Sequence, residues 1–262
     1  LGFKRLDKVL LTHGHLDHIL GLGGLISTFA RWEAIGEFEI SGGHWALERV
    51  RDLMGVVLRG GEPSLEISYH EISPGPVWAG EGMTITAFPV SHRGPGCYGF
   101  AFAEETRRPF LAERAEALGV PAGPERRLLV AGQPIELADG RVVRPEDVLG
   151  PPIPGPKLVH VGDTGRIDDL IEPAAGADAL VIEATYLEVE ADLAAQYGHI
   201  TAAQAATLAR EAGVGSLFLV HISRRYSERM VLAEARPIFP NTFVPRDLDH
   251  WKILRGHCEM VE

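Results

Sequence analysis

Residues 12–18 read Thr-His-Gly-His-Leu-Asp-His, which places four metal-binding side chains, His13, His15, Asp17 and His18, within six positions. Imidazole nitrogens and carboxylate oxygens are the donors that zinc and other borderline divalent ions accept. In extended chain, residues two apart project to the same side, so His13 and His15 can grip one ion. Asp17 and His18, at the start of the next turn, point to a second. Leu6 to Leu11 predicts a short buried strand before the cluster, and the Gly-spaced apolar stretch Ile19 to Ala30 predicts a helix after it. The cluster therefore belongs on a strand-to-helix loop. The bland alternative, a histidine-rich surface loop, does not explain this spacing beside a buried strand.

Two ions need more than four ligands. His92 follows a predicted strand and opens a Gly/Pro-rich loop, so its side chain is free to complete the shell of the first ion. His221 ends another predicted strand and suits the second. Asp163, in Gly162-Asp163-Thr164-Gly165, is placed to bridge both. Alone, Gly-Asp-Thr would mean only a turn. His44, His70, His160, His250 and His257 lack such settings and are assigned to structure.

The elements that must position these residues alternate. Strands are predicted over Phe38–Ser41, Leu65–Ile72, Met83–Val90, Tyr98–Ala103, Lys157–Val161, Ala179–Glu183 and Ser216–Ile222. Helices are predicted over Trp45–Leu58, Ile167–Ala175, Thr201–Ala212 and Ser227–Ala235, and Thr201 with Gln204 has capping-box spacing. The alternation implies layered α/β packing. Between Glu104 and Pro156 the texture changes: Pro and Gly recur, charges of both signs mix, and Arg127–Val143 suggests a hairpin turning at Ala138-Asp139-Gly140.

The 262 residues suit one large domain, and 45% hydrophobic with 23% charged residues is an ordinary globular composition. No apolar run nears the roughly 20 residues that span a membrane, no signal peptide is visible, and Cys97 and Cys258 form no pair motif. A cytoplasmic location is the expectation. The formal charge of −11 argues mildly against nucleic acid as a partner, since phosphate binding leaves a basic footprint. Metal ions and short arginine clusters (Arg107-Arg108, Arg126-Arg127, Arg224-Arg225) could supply that footprint locally.

The pattern His-x-His-x-Asp-His resembles the signature of the metallo-β-lactamase superfamily of dinuclear hydrolases. Three further stretches narrow the resemblance: Glu183-Ala184-Thr185, Gly198-His199-Ile200-Thr201 and His221-Ile222-Ser223-Arg224-Arg225-Tyr226. Together with His92-Arg93-Gly94-Pro95 and Tyr98-Gly99-Phe100, they are similar to the ribonuclease Z family, endonucleases that trim tRNA 3′ ends. In that family the first two stretches usually read His-Glu-Ala-Thr and Gly-His-Ser-Thr; here Ile182 stands for the histidine and Ile200 for the serine. Gly14 and Leu16 also exchange the usual spacers of the metal motif, with all ligands kept.

The resemblance implies an α/β metallo-β-lactamase fold: an αβ/βα sandwich of two mixed sheets flanked by helices. Residues 104–156 would form a protruding tRNA-binding arm inserted in a single domain over residues 1–262. It also implies two Zn2+ per chain, with Mn2+ as the other choice. These would be held by His13, His15, Asp17, His18, His92, Asp163 and His221. The reaction would be hydrolysis of a phosphodiester in precursor tRNA, leaving a 3′-hydroxyl. Asp17 would orient the attacking water, His199 would protonate the leaving oxygen with Glu183 holding its ring, and Arg225 and Tyr226 would bind substrate. A homodimer is implied as well. Because the superfamily places several strands before the metal motif, N-terminal strands are expected to be missing from this chain. Two other readings stay open: a dinuclear hydrolase of a small phosphodiester or sulfate ester, and a catalytically silent RNA-binding module.

Overall fold

A computed structural model describes residues 6–32, 36–58 and 65–261. The chain divides into two compact units, one of Leu1–Ala103 with Pro156–Glu262 and one of Glu104–Gly155.

The larger unit holds two sheets. The first is parallel throughout, in the order β1 (Lys8–Leu10), β2 (Glu37–Gly42), β3 (Glu66–Glu71). Parallel neighbours require crossovers, and these carry the helices Leu16–Ile19, Gly21–Trp32 and His44–Val57. Their apolar faces bury Ile26, Phe29, Leu47 and Val50 against Phe38 and Ile40, which alternate inward along β2.

The second sheet is built from β4 (Gly75–Gly80), β5 (Met83–Pro89) and β6 (Tyr98–Glu104), and after the insertion, which carries the short pair β7 (Ile135–Glu136) and β8 (Val142–Val143), from β9 (Lys157–His160), β10 (Ala179–Glu183), β11 (Ser216–Val220) and β12 (Thr242–Phe243). Its order is β12-β11-β10-β9-β6-β5-β4. The strands β9 to β12 are mutually parallel, while β6–β9 and β4–β5 pair antiparallel, so this sheet is mixed. The core strand β10 reads Ala-Leu-Val-Ile-Glu, and Leu180 and Ile182 are fully buried against Ala205, Leu208 and Ala209 of the helix Ala202–Glu211. That helix starts where the capping box places it: the Thr201 hydroxyl accepts from the Gln204 N–H, and the Gln204 side chain accepts from the Thr201 N–H. Leu10 of the first sheet packs with Ile85 and Phe100 of the second, so the two sheets face each other with helices outside. This is the metallo-β-lactamase architecture that the motifs imply.

The unit 104–155 has its own small core of Ala115, Val120, Leu129, Ile135, Val143 and Val148. It contains the helices Ala112–Ala117, Pro124–Val130 and Pro145–Val148 beside the β7–β8 pair. The expected hairpin over Arg127–Val143 is therefore narrower. Its first four residues are helix, because Pro124 at the first helical position and the run Arg-Arg-Leu-Leu favour that state. Arg108 donates to the carbonyls of Leu149 and Gly150, and Arg126 to those of Val120 and Pro121, so one member of each arginine pair here serves the fold.

Elsewhere the expected helix Ile167–Ala175 is a 3₁₀ turn, Asp168–Leu170, followed by one helical turn, Ile171–Ala174. A C-terminal hairpin, β13 (His250–Leu254) and β14 (His257–Val261), adds to the elements that the sequence predicts. Its turn is fastened where buried Asp178 accepts from the Gly256 N–H at 2.6 Å.

Candidate metal centre

Each candidate ligand follows the C-terminal end of a strand. After β1, Leu11 still bonds to Ser41, and the Thr12 carbonyl accepts from the Tyr98 N–H. The chain then leaves the sheet with His13, and His15 opens the helix Leu16–Ile19 in an extended conformation. His92 follows β5, Asp163 follows β9 and His221 follows β11. Open α/β sheets present ligand sites at these strand ends.

The side chains converge. One donor atom each from His13, His15, His92 and Asp163 lie within 4.8 Å of one another; so do those of Asp17, His18 and His221, and those of Asp163, His199 and His221. Asp163 Oδ2 lies 3.3 Å from His18 Nε2, 3.6 Å from His221 Nε2 and 3.8 Å from both His13 Nε2 and His92 Nε2. Five histidines, His13, His15, His18, His92 and His221, thus gather around the buried carboxylate of Asp163. Asp17, the most exposed of the candidate ligands, reaches His221 at 3.5 Å and His18 at 3.6 Å. His44, His70, His160, His250 and His257 lie outside these groups; His44 is exposed between Glu48 and Glu71.

The donor set fits a divalent cation. His13 Nε2, His18 Nε2 and Asp163 Oδ1 are buried without a hydrogen-bond partner, where buried polar atoms ordinarily have one. Burial, with the His18 ring adding to it, pushes His13 down to about 3. Burial also lowers His15 and His92. Each shift favours the neutral imidazole, the form that ligates a metal. Burial opposes a charge on Asp163, yet His18, His221 and His13 outweigh it and hold the carboxyl below the usual carboxylate range.

Hydrogen bonds settle which nitrogen faces the centre. His92 Nδ1 donates to the Gly198 carbonyl at 2.7 Å, which leaves Nε2 bare, 3.1 Å from His15 Nδ1. Gly198 takes φ +70° to end the helix Ala191–Tyr197, and a side chain there would strike Arg93. Thr185 does the same for His221. Its hydroxyl donates to Glu183 Oε2 and so accepts from His221 Nδ1 at 2.8 Å, again leaving Nε2 for the centre. His221 itself adopts φ +54°, which costs a non-glycine residue energy and recurs where a side chain must be aimed. Thr185 stands in the quoted motif without a role there, because a threonine carries no chemical signature until its neighbours are known.

Beside the ligands, Glu183 is fully buried at the end of β10. Its Oε1 accepts from the Thr164 N–H at 2.7 Å and from His199 Nδ1 at 2.9 Å. Burial disfavours charge on His199, but the bond to Glu183 and its charge outweigh burial and raise the imidazole above its ordinary value. Ile182 and Ile200, where the ribonuclease Z pattern has polar residues, are both 0% exposed within the main core, a setting that favours apolar side chains. Arg225 and Tyr226 both engage Glu190, the arginine at 2.8 Å. Glu190 belongs to none of the motifs quoted above.

A family model described as a beta-lactamase superfamily domain matches residues 2–112 and 126–222. Ribonuclease Z of Bradyrhizobium diazoefficiens is 45% identical over 249 residues, covering 95% of this chain and 83% of its own. Ribonuclease Z of Haloferax volcanii is 39% identical over 246 residues, covering 92% of this chain and 77% of its own. The crystal structure of human tRNase Z, short form, shares the fold with a TM-score of 0.60 at 22% identity, over 94% of this chain and 79% of its own.

Proposed function

The chain belongs to the ribonuclease Z family of the metallo-β-lactamase superfamily, and from that membership we propose how its metal centre removes the 3′ trailer from precursor tRNA. It is an endoribonuclease of tRNA 3′-end processing, a metal-dependent hydrolase.

The centre takes two divalent ions, zinc or alternatively manganese, through His13, His15, Asp17, His18, His92, Asp163 and His221. When bound, such ions acidify water to a pKa of roughly 7 and offset charge on phosphoryl oxygens. Asp17, exposed at the rim, orients the attacking water. Asp163, buried and anionic, is the common partner that keeps the imidazoles in place. His199, with Nδ1 held by Glu183, presents its other nitrogen as the acid that protonates the departing oxygen, leaving a 3′-hydroxyl on the tRNA. Arg225 and Tyr226, fixed by Glu190, serve the substrate strand. The unit 104–155 binds the tRNA body and takes no part in the chemistry. The active form is a cytoplasmic homodimer.

The observation that carries this reading is the Glu183–His199 pair at 2.9 Å beside the ligand set. Hydrolysis of a good leaving group does not need such an oriented acid, whereas a departing ribose oxygen does. Steady-state cleavage of a 3′-extended tRNA precursor, set beside a nitrophenyl phosphodiester, tests it. We expect kcat/KM for the precursor to be higher by several orders of magnitude; equal values would favour a small-ester hydrolase.

A further inference from the structure

On the His15–His92 side of the centre, two arginines lie without a carboxylate partner among the described residues. Arg93 directly follows the ligand His92, and its stem rests on Gly198: a Cβ there would lie 2.9 Å from Arg93 Cγ. Arg49 lies over the indole of Trp45, 5.4 Å from the ring centroid. That indole stands edge-on to His15 with centroids 5.4 Å apart, and packs so closely on Gly94 that a Cβ there would come within 2.6 Å of it. Glu48, next to Arg49 in sequence, is engaged by His44 at 3.4 Å. By contrast, Arg166, three residues after Asp163, is paired with Asp169. In a chain of net charge −11, cations left unpaired next to the ligand loops are sites where an anion can bind without first displacing a carboxylate. Trp45 fixes Arg49 against the ligand side, and Gly198 fixes the stem of Arg93.

We propose that Arg93 and Arg49 are substrate-binding residues that take backbone phosphates of the RNA strand flanking the scissile bond. This rests on the ribonuclease reading and adds the side of the centre along which the strand runs. The test is steady-state cleavage of a 3′-extended tRNA precursor by the parent, Arg93→Ala, Arg49→Ala and Arg93→Lys proteins across about 50–200 mM salt. Each Ala variant should raise KM about tenfold, the worth of one charged hydrogen bond, with a smaller change in kcat. The slope of log(kcat/KM) against log[salt] should become shallower by about 0.7 for each single-strand phosphate that the variant no longer neutralises. Arg93→Lys should recover most of the slope. Repeating the series with a one-nucleotide trailer assigns the phosphates: a loss seen only with long trailers places them in the trailer, and a loss seen with both places them at the tRNA 3′ end. Unchanged KM and slope in both Ala variants, with an active parent, would overturn the proposal alone. An inactive parent would instead remove the ribonuclease reading beneath it.

Discussion

At the scale of single residues, the centre separates groups that hold a metal from groups that orient the holders. Thr185 is the clearest orienting group. It is buried, donates to Glu183 and accepts from His221 Nδ1, so one hydroxyl connects the proposed acid pair to a ligand. Thr185→Val keeps the shape and removes both bonds. Loss of such an orienting partner weakens metal affinity by about 10–100-fold. Competition against a chelator would read that change, and an unaltered affinity would mean that His221 is aimed by its backbone alone. His199 behaves differently. Without it, Glu183 keeps the Thr164 N–H and the Thr185 hydroxyl, so His199→Ala should shift the melting temperature by no more than about 3 °C. Its kcat on precursor tRNA should fall by about 10² or more, the usual worth of a general acid. On a nitrophenyl phosphodiester, whose leaving group needs no proton, the loss should be far smaller. An equal loss on both substrates, or loss of bound metal, would make His199 a ligand instead.

At the scale of elements, the parts that place the ligands were legible and the parts between them less so. The strands before His13, His92, Asp163 and His221 are short apolar runs, and the structure differs from their expected bounds by only a few residues. The strand β4 escaped notice because Gly75, Pro76 and Gly80 read as turn residues; the pairing with β5 tolerates them through a register shift between Pro76 and Trp78. The C-terminal hairpin depends on Asp178 holding its turn from 78 positions away, a contact no local pattern encodes. The change of texture near Glu104 was visible, but the helix Pro124–Val130 was not, since an amphipathic signal over seven residues is short. That inserted unit has a core of its own, so its removal is a fair experiment. Replacing residues 112–144 by a short linker should raise KM for precursor tRNA strongly and leave hydrolysis of a small phosphodiester near the parent value. Equal loss on both would place the segment in the catalytic unit's stability.

At the scale of the whole molecule, an acidic chain of net charge −11 acts on a polyanion. The composition spoke mildly against such a substrate, and the resolution lies in placement. Positive charge need only be local: within one Debye length, about 8–10 Å at ordinary salt, divalent ions held by the ligand set and the unpaired arginines would set the field that the strand meets. The chemistry of the cut end is the most direct readout of metal-assisted hydrolysis at the tRNA 3′ end. The metal-reconstituted protein is incubated with a tRNA precursor labelled in its mature part, and the 3′ terminus of the product is identified. Metal-dependent cleavage at the 3′ end of the tRNA should leave a 3′-hydroxyl on the tRNA and a 5′-phosphate on the trailer. A 2′,3′-cyclic or 3′-phosphate end, or cleavage that persists in excess chelator, would contradict metal-assisted hydrolysis.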